Sequence, residues 1–139
     1  MIYQALCTSA KKEFIQGIHL PSHSYKIALY TNEATLNAAV SSYTPSGEVR
    51  GFGYTAGGVI LEGYSVGSAA QTAWLDWTKD PSWPISTITA RAALIYNDSL
   101  SKKNAICVLD FGDDKYSSNG VFTILLPPPG ENSALIRIL

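Results

Sequence analysis

The sequence predicts an all-β fold, a β-sandwich or jelly roll with a short N-terminal helix, and three observations carry that prediction. About eight short apolar runs alternate with turn signals, as in small sandwiches. Two of these runs, within Trp83 to Phe111, read as a central β-hairpin. Only one stretch, near the N-terminus, repeats apolar residues at helical spacing. The 139 residues suffice for one domain with its own core and are too few for two. Residues 1–139 are therefore read as a single β-sandwich domain, with 1–17 as a helical arm.

In chain order, Leu6, Ala10 and Phe14 recur at four-residue spacing and Gly17 supplies a stop, which predicts a helix over Tyr3 to Gln16; Thr8 or Ser9 would cap a shorter one. Ile18 to His23 is a connection, and Tyr25 to Thr31 is a strand with apolar residues on both faces. A short helical turn is expected within Asn32 to Ala39. The stretch Ser41 to Gly58 reads SSYTPSGEVRGFGYTAGG. Its glycines Gly47, Gly51, Gly53, Gly57 and Gly58 imply sharp bends or close contact with another surface, and loops this long are usually functional. Further strands are expected at Val59 to Glu62, Gln71 to Trp77, Val121 to Leu126 and Ala134 to Leu139. Asn119-Gly120 turns the chain before the third of these, and Pro127-Pro128-Pro129-Gly130 breaks it afterwards.

In the first run of the central hairpin, Ile88, Ala90, Ala92, Leu94 and Tyr96 share one face; Thr87, Thr89, Arg91, Ala93 and Ile95 share the other. The second run, Ala105 to Phe111, is apolar on both faces and reads as an interior strand. The polar segment Asn97 to Asn104 connects them.

Charged residues make up 15% of the chain, against about 25% in an ordinary domain, while aromatics reach 11% with eight Tyr and three Trp. So few charges leave neutral and aromatic groups on the surface, which is the composition of protein interfaces and points to assembly. A net charge of -1 and a pI near 6.0 give no long-range field for nucleic acid or an anionic membrane, and neither is expected as a direct partner. Lys11-Lys12 and Lys102-Lys103 read as solvated pairs. MIYQALCTSAKK lacks the character of a signal peptide, and no apolar run approaches the ~20 residues of a membrane helix, so synthesis in a cytoplasm is expected. Cys7 and Cys107 are expected to be free thiols, Cys107 as a small buried hydrophobe.

Motifs that carry chemistry are weak. Gly51-Phe52-Gly53-Tyr54-Thr55-Ala56 fits a loose dinucleotide string, but a strand and not a helix follows, so turns or interface contacts explain it better. His19 and His23 are separated by Pro21, which breaks the helical spacing a metal pair needs; they read as loop histidines. Asp110, Asp113 and Asp114 near Asn119 match no calcium loop and read as a solvated turn. Asp110-Phe111-Gly112 stands without the remaining kinase elements, and no serine lies in a nucleophile elbow. No catalytic residue, metal or cofactor is expected. Trp74, Trp77 and Trp83 suit core packing, an interface anchor or a sugar platform, although Trp74 and Trp77 fall on opposite faces of a regular strand.

The order of several segments resembles small virion structural proteins of tailed bacteriophages. These are Ser9-Ala10-Lys11-Lys12-Glu13-Phe14-Ile15-Gln16-Gly17 leading to Tyr25 to Tyr30, Gly47 to Gly58 (GEVRGFGYTAGG), Ile88 to Asp98 (ITARAALIYND), Val108 to Gly112 (VLDFG) and Ala134 to Ile138 (ALIRI). The resemblance implies a non-enzymatic part of the particle, a cement or decoration protein on the capsid surface, assembled in the host cytoplasm. Its partners would be the major capsid protein and copies of itself, for example as a trimer. A tail or fibre component and a carbohydrate-binding module are the alternatives. Glycine-permitted close approach and aromatic density mark the loop Tyr43 to Gly58, with Arg50, Phe52 and Tyr54, and the region of Trp74, Trp77 and Trp83 as the expected contacts.

Overall fold

The computed structural model describes residues 1–139. Its elements are β1 (Ala5–Leu6), α1 (Thr8–Gln16), β2 (Tyr25–Tyr30), β3 (Val59–Ile60), β4 (Tyr64–Ala69), β5 (Thr72–Trp77), β6 (Ser82–Asn97), β7 (Ala105–Thr123) and β8 (Ile136–Ile138). The fold is all-β with one short N-terminal helix. The strands form two antiparallel sheets, one in the order β1-β7-β6-β2-β3 and one in the order β4-β5-β8.

The β6–β7 hairpin organises the molecule, pairing from Ser82↔Thr123 to Tyr96↔Ala105. The separate strands expected at Ala105 to Phe111 and Val121 to Leu126 are largely one long strand, β7, interrupted by a bulge. Ala90 pairs with Lys115 and Ala92 with Asp110, which leaves Phe111 to Asp114 facing Arg91 alone. The charged segment that reads as a loop is thus bulged out of a continuing ladder. Asp110 is held there by the Arg91 Nε at 3.1 Å and the Gly112 N–H at 2.9 Å. The Gly112 N–H, outweighing slight desolvation, and then Arg91 hold its carboxyl below the usual range.

The helix starts at Thr8, not at Tyr3. Ala5 and Leu6 pair with Val108 and Cys107, and the Tyr3 N–H donates to Leu36 O at 2.8 Å, so strand partners claim the backbone that helical spacing had assigned to α1. Cys7 caps the helix in an extended conformation, and Gly17, at φ 73°, ends it in the left-handed region. The helical turn expected within Asn32 to Ala39 is absent; Leu36 instead bridges in parallel to Ile2 and is buried. β4 was not expected, because YSVGSA carries little apolar signal.

Residues Ile27–Tyr30 and Ala92–Asn97 are buried throughout, since the five-stranded sheet is covered on both faces. On the face of Tyr30 and Tyr96 lies the loop that follows β2: Tyr30 Oη donates to Thr44 O at 2.7 Å and Tyr96 Oη to Gly57 O at 2.6 Å. The face of Tyr25 and Asn97 is covered by α1 and the small sheet. Tyr25, Tyr64 and Trp77 meet there at ring separations of 5.4–5.9 Å. Asn97 Nδ2 donates to Nδ1 of both His19 and His23, at 3.0 and 2.8 Å, leaving the His19 Nε2–H for Glu13 Oε1 at 2.9 Å. Asn104 Nδ2 holds the other Glu13 oxygen at 2.8 Å, so this network ties α1 to the hairpin turn. Cys7 and Cys107 are buried and unbridged, and burial pushes the Cys7 thiol up to about 11.

Candidate protein interface

Glycine placement determines how the Tyr43 to Gly58 loop lies. A Cβ on Gly53 would come within 2.2 Å of Ile85 O, and one on Gly58 within 1.8 Å of Ile27 O. The surface these glycines approach is the protein's own β2 and β6. Phe52 bridges to Thr87, whose N–H donates to Phe52 O at 2.9 Å, so the loop adds a short pairing at the flank of β6.

The buried Glu48 carboxylate fastens the loop from inside. Its Oε1 accepts from Tyr43 Oη; its Oε2 accepts from Tyr54 Oη and from the Gly57 N–H at 2.7 Å. Tyr54 Oη also accepts from the Leu29 N–H at 3.0 Å. No cation pairs with Glu48, so these donors take the place of water around its oxygens. Burial, and then the Glu48 hydrogen bond, push the Tyr43 hydroxyl up to about 12; Tyr54 is raised further for the same two reasons.

The six expected contact residues do not come together. Arg50 and Phe52 are exposed at the loop tip, Phe52 by 67%. Tyr54 turns inward and stacks on Trp83 at 6.1 Å. Trp83 is only 3% exposed and Trp77 only 1%, so both are core residues, which corrects their expected role as contacts: burying their large apolar rings outweighs presenting them. Trp74 pairs with Gly67 across β4 and β5 and is half-buried, with its indole N–H unpartnered. With Trp77 and Trp83 internal, the three tryptophans form no sugar-binding platform.

Sequence reasoning missed the side chains that accompany Phe52. Ile85 is exposed on β6, and Tyr116, exposed by 77%, stands opposite Thr89 on β7. Val121 and Leu125 are exposed and share with Tyr116 a shallow concavity of about 440 Å³. Arg50 and Tyr116 line a second hollow beside Thr87 and Thr89. A rim of apolar and aromatic side chains with two adjacent cations, Arg50 and Lys115, results. Its only sequence signal was Val121 to Leu125, apolar on both faces at a sheet end where only Phe122 and Ile124 can turn inward.

No group of three or more His, Cys, Asp or Glu side chains is arranged to hold a metal ion, and no helix is long and apolar enough to cross a membrane. No family model, curated protein or solved structure matches this chain.

Proposed function

We propose that the protein is a non-enzymatic structural component of a tailed-bacteriophage particle, a cement protein that lies across major capsid protein subunits and stabilises the head. The observation that carries this reading is an exposed rim in which Phe52 and Arg50, on the loop fastened by Glu48, lie beside Ile85 of β6 and Tyr116, Val121 and Leu125 of β7 and its end. Aromatic and aliphatic anchors with an arginine are the residues protein interfaces concentrate, and a pre-ordered loop loses little entropy on docking. A cement protein needs no more than this. Burying ~800 Å² per partner across a subunit joint makes the joint harder to open, because whatever binds only the closed state stabilises it. The resemblance of its segment order to small virion proteins is what suggests the kind of partner.

The test is co-sedimentation with empty capsids. Arg50→Glu combined with Phe52→Ala is expected to abolish capsid occupancy while the free protein stays within about 0.5 kcal/mol of wild-type stability, since both side chains are exposed. Unchanged occupancy, or wild-type protein that sediments with tails and not with capsids, overturns the proposal.

A further inference from the structure

The two sheets end on four edge strands, β1, β3, β4 and β8, and three of them are blunted; β7, left unpaired by β1 beyond Val108, is broken by bulges and carries Asp113, Asp114 and Lys115 on its open stretch. β1 and β3 have two residues each, and β8 has three with Arg137 at its centre. Short edges and edge charges are how proteins prevent unwanted strand pairing. β4 has neither device. It runs six residues, Tyr64–Ala69, as YSVGSA, without charge or proline. Its register to β5 is continuous from Tyr64↔Trp77 to Ala69↔Thr72, so no bulge turns it away. Outside that ladder no main-chain group of Tyr64–Ala69 has a hydrogen-bond partner. The nearest charges at its start, Glu62 and Lys79, neutralise each other at 3.0 Å.

The face beside this edge is apolar as well. Val66 is 62% exposed on the same side as Ala73 and Ile138, and with Phe14 of α1 these residues line a groove of about 270 Å³ whose lining is wholly hydrophobic. On the opposite side Trp74 lies against Gly67, where a Cβ would come within 2.5 Å of the indole, and keeps that face of the edge flat.

We propose that β4 is a self-association edge, and that two copies pair β4 antiparallel about a two-fold axis normal to the sheet at Val66. A second copy is the fitting occupant because a charge-free strand meets itself without like-charge contact, and one antiparallel join satisfies both free edges at once. A two-fold axis normal to the sheet keeps each face on its own side, so opposed residues must come from the same face. Val66 then faces the partner's Val66, and Tyr64 faces the partner's Ser68. The two apolar grooves become neighbours on one side of a continuous sheet. This edge lies on a different sheet from the Phe52 rim, so the inference stands apart from the capsid reading.

Cysteine cross-linking tests it. Opposed residues of an antiparallel pair sit ~4.5–5.5 Å apart at Cα, within disulfide reach. Val66→Cys is expected to oxidise to a covalent dimer, whereas Ser65→Cys, two residues out of register with its own copy and on the other face, is not. The native thiols are buried and give no background. Wild-type protein is expected to sediment as a dimer, and Val66→Lys as a monomer with an unchanged circular dichroism spectrum. Arg50→Glu with Phe52→Ala should dimerise normally. A monomeric wild type, a folded Val66→Cys that stays unlinked, or equal linking at Ser65 overturns the assignment.

Discussion

The two coverings of the central sheet are built on different physics. Over Tyr30 and Tyr96 lies an irregular loop, held by directional bonds: one buried carboxylate takes two tyrosine hydroxyls and a backbone N–H, and two further tyrosines donate to loop carbonyls. Over Tyr25 lies a regular three-stranded sheet, and no hydrogen bond joins its strands to the five-stranded sheet. It adheres through the Tyr25, Tyr64 and Trp77 rings. The contrast teaches that irregular chain needs a polar anchor, because its own backbone groups are not paired along a ladder. A sheet pairs its inner backbone groups along its own ladders and leaves the rest at its edge, away from the covered face, so apolar area holds it in place.

Trp77→Ala is expected to have the largest effect, a loss of about 3–5 kcal/mol in urea denaturation, because it empties the centre of the aromatic contact. Hydrogen exchange should quicken first in β4, β5 and β8, while β2 stays protected. Glu48→Ala should cost less, about 2–3 kcal/mol, since it strands buried donors but removes little apolar volume. Its exchange changes should be confined to residues 43–58; if they spread evenly through the small sheet, the two coverings are not separate units.

Alkaline pH tests the loop side of the same comparison without a substitution. Burial, helped by Glu48, raises Tyr43 from 10.0 to about 12, and burial raises Tyr30, Tyr54 and Tyr96 further. The folded chain therefore keeps protons that the unfolded chain releases. This contribution is complete below pH 10 and declines above it, Tyr43's share being gone once its folded value near 12 is passed. Tyrosinate absorbance should thus rise together with loss of the fold, and Tyr43→Phe should retain more of its neutral-pH stability above pH 10 than wild type does. A wild-type fold equally stable at pH 10 and pH 12 would remove tyrosine ionisation from the account.

Much of the fold was legible because burial leaves a periodic trace. Ile27 to Tyr30 and Ala92 to Tyr96 are apolar at every position, and both are covered on two faces. β4 left no such trace, because half-exposed Ser, Gly and Ala look like loop. The charged run Asp110 to Lys115 hid the continuity of β7, since a bulge can expose charge without ending a strand. Of the six candidate residues, the exposure of Arg50 and Phe52 was readable from their place in a glycine-rich loop. The burial of Trp77 and Trp83 was not, because tryptophan suits a core as well as an interface.

By itself the sequence determined the class of fold, the central hairpin, the glycine-dependent loop and a surface poor in charge, for these depend on side-chain period, backbone freedom and composition. Which aromatics face outward, what Glu48 binds and which strand edge stays open were decided by tertiary structure alone. Each depends on residues distant in the chain meeting in space, as Glu48 meets Tyr43 and Tyr54 above β2, and Trp77 meets Tyr25 below it.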